Sequence, residues 1–194
     1  MKRAYKPALA LLAVAALVSG CAGGRRVEVD SEDPFLSMTN SKDFQDCVSN
    51  MARSLVQAEQ ISKAGKPPTI AFAELRNMTN EPIETSLYLD KIRTLIMKNA
   101  GGKVAFLNRQ LSEAILRERD LKRKGQVTTS GQKAVLGADY FLSGTIQTMD
   151  RTDGSNRSVY TRFEFNLTDA ESTQLLWADE FEVKKIGKRG LWER

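Results

Sequence analysis

Cys21 is the residue whose surroundings commit it most clearly to chemistry. It follows Val18-Ser19-Gly20, behind an apolar run from Ala8 to Val18 and a basic start carrying Lys2, Arg3 and Lys6. That run is too short to span a bilayer, which takes about 20 residues. The basic head, short apolar body and small-residue end read instead as an export signal over residues 1–20. A cysteine directly after the small residues changes the expected product from a secreted protein to an acylated one. The Cys21 thiol takes a diacylglycerol, cleavage falls before it, and Cys21 becomes the mature N-terminus. Each buried acyl methylene holds such a protein to a membrane by about 0.8 kcal/mol.

Other reactive groups are scarce. The chain contains no histidine, which excludes a Ser-His-Asp triad, a His-paired cysteine nucleophile and a histidine-ligated metal. Neither Gly23-Gly24 nor Gly101-Gly102 has the neighbours of a phosphate-cradling loop, and no cofactor is expected. Carboxylate-only hydrolysis stays open, although no acidic pair carries a motif around it. After acylation of Cys21 the second cysteine, Cys47, has no intrachain partner. It falls in the stripe Phe44-Cys47-Val48-Met51-Leu55, so a buried apolar thiol is expected.

The groups suited to binding are few. Arg76, Asn77, Thr79 and Asn80 form a polar stretch at the end of a predicted strand, where loops often carry recognition residues; local turn chemistry would use the same residue types. Tyr160 and Arg162 fall on the polar side of an alternating strand and belong to types enriched at protein interfaces. Trp177 is expected in the core. Arg117, Arg119, Lys122, Arg123 and Lys124 are interleaved with Glu113, Glu118 and Asp120, the pattern of a solvated helix face. Loss of the signal takes the formal net charge from +5 to +2, and export removes nucleic acid as a partner.

These residues must be positioned by one domain of ordinary size. Residues 21–39 read as a lipidated start and flexible tether, too polar to bury. A folded domain is expected over 40–183 and a basic tail over 184–194. Asn40 or Ser41 caps a helix with apolar residues at 44, 47, 48, 51 and 55. Thr69–Ala73 reads as a buried strand and Arg76–Pro82 as a loop. Thr85–Ala100 reads as a helix stopped by Gly101-Gly102. A strand over Val104–Leu107, a helix capped by Asn108 and a short helix over Ser130–Leu136 follow. Strands are expected at Tyr140–Ile146, Val159–Leu167 and Leu175–Val183, with a turn cluster over Asp150–Asn156. The order is α-β-α-β-α-α-β-β-β: an α/β (α+β) fold with a mixed sheet of about four to five strands flanked by helices and ending in an antiparallel meander.

With these words in it, the arrangement resembles the LpoB family of outer-membrane lipoproteins that activate penicillin-binding proteins. The resemblance covers roughly Asp43 to Phe181. It is carried by the stretch from Ile70 to Asn80, by Asn99-Ala100-Gly101-Gly102-Lys103-Val104, by Gly137-Ala138-Asp139-Tyr140-Phe141-Leu142, and by Asp169 to Ala178 with Trp177. It implies a domain like the N-terminal domain of TolB-type proteins and a non-enzymatic role. The implied partner is a class A penicillin-binding protein, a peptidoglycan synthase, stimulated by a monomeric activator. In lipoproteins that the signal resembles, an aspartate after the cysteine often marks retention at the inner membrane. Ala22-Gly23-Gly24 lacks one, so the expected location is the outer membrane, facing the periplasm. Two departures stand out: a tether of about 18 residues without the proline-richness of the family's best-known member, and the added basic tail. A competing reading is a structural subunit of an envelope secretion complex, since curli-type secretion lipoproteins share a related core. Their long barrel-building segments have no counterpart here.

Acylation has a direct test. In cells fed labelled palmitate, the chain is expected to carry the label, and Cys21→Ser is expected to abolish it and release the protein from the membrane fraction.

Overall fold

The computed structural model describes residues 28, 39–129, 131 and 133–188. The chain divides into two compact units, Met1–Ser31 and Glu32–Arg194. The expected signal peptide, Cys21, most of the tether and the tail beyond Lys188 lie outside the described residues. The second unit contains every residue of the hydrophobic core, so it carries its own driving force for folding.

Helix α1 (Ser41–Gln57) begins at Asn40, whose Oδ1 accepts the Asp43 amide while the Asp43 carboxylate accepts the Asn40 amide. This reciprocal box satisfies two otherwise orphaned donors. Cys47, Val48, Met51, Ala52 and Leu55 form its buried stripe; burial also pushes the Cys47 thiol well above its usual range. A single-turn α2 (Glu59–Ser62) adds Ile61 to the core. Strand β1 (Thr69–Met78) and helix α3 (Thr85–Asn99) follow, then β2 (Ala105–Phe106), a 3-10 turn (Arg109–Leu111) and α4 (Ser112–Arg123). The chain closes with a meander of three long strands, β3 (Tyr140–Asp153), β4 (Asn156–Asp169) and β5 (Leu175–Lys188). The five strands form one mixed sheet in the order β2-β1-β3-β4-β5, parallel across β2, β1 and β3 and antiparallel from β3 to β5.

Helices α1 and α3 cover one face of the sheet. Val159, Thr161, Phe163, Phe165 and Leu167 of β4 all point into that interface and are buried. An aromatic chain crosses it: Phe44 meets the Tyr88 ring edge-on at 4.6 Å, Tyr88 stacks on Phe163 at 5.6 Å, and Phe163 contacts Phe181 at 6.2 Å. Each fully buried ring contributes about 2–3 kcal/mol of transfer free energy, so these residues dominate the core. At the sheet's start, the Asp139 carboxylate accepts the Thr69 amide (2.6 Å) and hydroxyl (2.8 Å), locking the beginnings of β1 and β3 together.

Several elements differ from the sequence expectation. β1 continues five residues past Ala73, because a bulge between Phe72 and Leu75 inserts one extra residue against β3. Asp150–Asp153 belong to β3, and the turn shrinks to Gly154-Ser155, with Gly154 at φ +58°. Arg157 clamps the Asp150 carboxylate at 2.5–3.1 Å and stabilises this extension. The described residues of Ser130–Leu136 form no helix. Lys184–Lys188, assigned to a tail from their charge, complete β5, whose Lys188 pairs with Asn156. Lys185 breaks the apolar alternation that would have revealed this. It lies on the helix side of the sheet, where the Asp43 carboxylate takes its ammonium at 2.5 Å. Trp177 packs at the edge of the core, its indole N–H donating to Ser54 Oγ at 3.3 Å.

Gly144 marks the tightest approach in the sheet. A Cβ there would fall 2.3 Å from the Glu164 carbonyl oxygen and 3.0 Å from Leu75 Cδ1. Main chain cannot yield as a side-chain tip can, so Gly144→Ala is expected to cost about 1–3 kcal/mol or more. A thermal melt of the variant checks it, with the exposed Gly65→Ala expected to melt near the parent temperature.

Candidate functional site

The sheet face opposite α1 and α3 stays open along β3, β4 and β5. The register across it is regular. Arg76, Thr145, Glu164 and Glu180 make one row; Met78, Gln147, Arg162 and Glu182 make the next; Met149, Tyr160 and Lys184 make a third. Strands lie about 4.8 Å apart, so Arg76 on β1 and Arg162 on β4 are roughly 10–12 Å apart on one surface.

The β1 bulge is what brings Arg76 here. Ile70 and Phe72 point into the core, and simple alternation would then send Glu74 and Arg76 inward. The extra residue inverts the alternation. Leu75 takes the core position opposite Gly144, while Arg76 turns to the open face opposite Thr145. Arg76 is exposed and makes no ion pair with the described residues.

Tyr160 and Arg162 are held by the neighbouring strand. The Tyr160 hydroxyl donates to Glu182 Oε1. Arg162 Nε meets Glu180 Oε2 at 2.5 Å and Arg162 Nη2 meets Glu164 Oε2 at 3.4 Å. Asn166 donates to the far oxygen of Glu164 at 3.1 Å. Exposed ion pairs stabilise a fold by little, about 0–1 kcal/mol. Their consequence is orientation: a phenol and a guanidinium stand in fixed positions above the sheet. The hydrogen bond to Glu182 raises the Tyr160 pKa from its ordinary value, with partial desolvation and the Glu182 charge acting in the same direction. The hydrogen bond to Glu180 raises that of Arg162. A shallow cleft of about 270 Å³ opens beside them, lined by Arg162, Glu164, Ala178, Asp179 and Glu180. Met78 and Met149, 58 % and 52 % exposed, supply adaptable apolar surface at the margin.

The remaining residues singled out from sequence divide. Asn77 points to the helix side, in register with Ile146. Its Oδ1 accepts the Thr79 amide (3.0 Å) and hydroxyl (2.8 Å), its Nδ2 donates to the Glu81 carbonyl (2.7 Å), and the Thr79 hydroxyl accepts the Glu81 amide (3.0 Å). Asn77 and Thr79 thus build the turn that ends β1, the local alternative noted from sequence. Asn80 is exposed at its tip. Sequence reasoning did not assign Met78, Gln147, Met149, Glu180 or Glu182 to the face. Period-two alternation carries that signal for Glu180 and Glu182 within the expected last strand and for Gln147 and Met149 once β3 is known to run to Asp153, whereas Met78 needs the β1 bulge. Among the described residues no group of three or more Cys, Asp or Glu side chains is arranged to hold a metal. The arrangement offers directional hydrogen-bonding and ionic groups on one side of the sheet, the equipment of recognition by contact.

The tie to Glu182 predicts a titration. Tyr160 is expected to ionise above the ordinary tyrosine range, and Glu182→Gln to bring it back toward that range. Ultraviolet titration, with Tyr160→Phe subtracted to isolate the one phenol, measures the shift.

Comparison with known proteins places this architecture. The model of the family described as peptidoglycan-synthase activator LpoB matches residues 43–183. No curated protein sequence matches the chain. Among solved structures, the LpoB C-terminal domain from Salmonella enterica is 12% identical, with a TM-score of 0.44 over 73% of this chain and 98% of that one. The LpoB C-terminal domain from Escherichia coli is 14% identical, with a TM-score of 0.44 over the same shares.

Proposed function

The chain belongs to the LpoB family of peptidoglycan-synthase activators, and from that premise we propose that it is an outer-membrane lipoprotein, acylated at Cys21 and facing the periplasm, that binds and stimulates a class A penicillin-binding protein. The observation that carries this reading is the family match over residues 43–183, which takes in α3, the first four strands, and most of α1 and β5. The family is one of activators and not of enzymes. The role is therefore to shift a synthase toward its active state by binding that state more tightly.

The open sheet face is the proposed contact. Tyr160 and Arg162 act as central anchors, pre-positioned by Glu182, Glu180 and Glu164, so little side-chain entropy remains to be lost on docking. Arg76 extends the surface across β1, and Asn80 borders it at the strand end. Asn77 and Thr79 contribute by holding that end in shape. A monomer suits this arrangement, because one face of one copy supplies all the groups. A standard protein interface covers about 800 Å² per partner, which three or four strands of this sheet can provide.

The tether constrains where the meeting happens. Residues 22–39 separate Cys21 from the cap of α1 and cover at most about 60 Å by covalent geometry. The synthase must accordingly present its docking surface toward the outer membrane.

Two substitutions on the face test the proposal. Arg162→Glu and Tyr160→Ala are each expected to weaken binding to a purified class A synthase at least about tenfold and to reduce stimulation of glycan polymerisation in parallel, with the melting temperature nearly unchanged. Photocrosslinking from position 160 or 76 in intact cells is expected to capture the synthase; recovery of no such enzyme would overturn the reading.

A further inference from the structure

Helix α4 presents the opposite situation to the well-covered α1 and α3. None of its residues is buried, and among the described residues its substantial packing is against the 3-10 turn that precedes it. Yet it carries large apolar side chains: Leu111 just before it is 53 % exposed, Ile115 46 % and Leu116 53 %. At 100° per residue, Leu111, Ile115, Leu116, Arg119, Lys122 and Arg123 fall within an arc of about 140°. Glu113 and Asp120 lie outside that arc. Glu118 sits at its margin, 3.7 Å from Lys122. Arg117 and Lys124 fall on the far side with Glu113 and Asp120, where Lys124 meets Asp120 at 2.7 Å, so the apolar arc itself keeps Arg119, Lys122 and Arg123, with Glu118 alone at its edge.

A cleft of about 290 Å³ opens on this face. Ile115 lines it together with Arg119, Lys122, Arg123 and Lys133, and among the described residues no carboxylate lines it. Arg119 Nη1 donates to the Lys133 carbonyl at 2.6 Å, which fixes the chain after α4 against the helix. The result is a cationic recess beside exposed aliphatic side chains, standing off from the core.

We propose that this face of α4 docks on the surface of an anionic phospholipid bilayer, with Leu111, Ile115 and Leu116 entering the acyl boundary and the cleft receiving lipid phosphate. Aliphatic side chains flanked by long cationic ones are the composition of an in-plane interfacial helix. The basic side chains keep their charges at headgroup level while their stems lie along the apolar region. Charge complementarity selects the anionic bilayer, since each lysine or arginine near such a surface strengthens attachment. The contact is separate from acylation at Cys21. It sets the domain's orientation at a membrane, a property that attachment at one residue does not fix.

The Glu32–Arg194 unit, which holds the whole core and lacks Cys21, provides the test. Incubated with phosphatidylethanolamine vesicles containing one quarter phosphatidylglycerol, it is expected to co-sediment at low salt, to dissociate as salt rises, and to ignore phosphatidylcholine vesicles. Ile115→Asp with Leu116→Asp, and separately Arg119→Glu with Arg123→Glu, are expected to reduce retention at least about tenfold. Arg53→Glu on α1 is expected to leave it nearly unchanged apart from the lost charge. Because α4 stands outside the core, circular dichroism melts of all variants are expected to match the parent. No retention on the anionic vesicles, or equal retention of parent and α4 variants, would overturn the proposal. So would self-association, seen by sedimentation equilibrium, that Ile115→Asp with Leu116→Asp abolishes while vesicle binding is absent; that outcome would assign the face to a second copy. Stimulation of a synthase in detergent reports on the sheet face and is expected to survive the α4 substitutions, so the two readings fail separately.

Discussion

One side of β4 is dry and the other is wet, and most of the molecule follows from that. Five consecutive inward positions, from Val159 to Leu167, are buried against α1 and α3. The intervening positions, from Tyr160 to Asn166, carry a phenol, a guanidinium, a carboxylate and an amide that a core would not tolerate unpaired. Two layers satisfy both demands. A third layer would bury the polar row and would have to pair every group in it. The helices therefore stay on one face, and the other remains available to a partner.

The bulge in β1 applies the same rule at smaller scale. With strict alternation the strand would drive Glu74 and Arg76 into an apolar interface at a cost of several kcal/mol for each unpaired charge. One inserted residue lets Leu75 fill the core beside Gly144 and sends Arg76 to the open face. A bulge is thus the cheapest local solution to a conflict in the sequence, and it places a cation where recognition can use it. At the far end of the sheet, Lys185 meets the same problem with a different answer. It stays on the helix side because Asp43, already part of the α1 capping box, neutralises it.

The two surfaces proposed for contact differ in kind. On the sheet face Arg162 is held between Glu164 and Glu180 and Tyr160 is tied to Glu182, which gives fixed geometry and suits a specific protein. On α4 half-exposed aliphatic side chains share one face with Arg119, Lys122 and Arg123, with Glu118 at its edge, which suits a fluid, anionic surface. A domain with the proposed anchor and the proposed synthase partner would have use for both.

Much was legible in the sequence. The 3.6-residue stripe of α1, the alternation of β4 and the glycine stop after α3 are local patterns, each set by which side of a single element avoids water, and they fixed the α/β class, the buried Cys47 and the outward Tyr160 and Arg162. Residues 18–21 set the acylation expectation in the same local way. Tertiary structure alone decided the rest. The continuation of β1 past Ala73, the turn of Arg76 to the open face and the absorption of Lys184–Lys188 into β5 all depend on partners distant in the chain or on a bulge that only a paired strand can impose. A polar residue in isolation reads as loop or tail. Once Asp43, Arg157 or a neighbouring strand satisfies its charge and its backbone, the same residue can be strand.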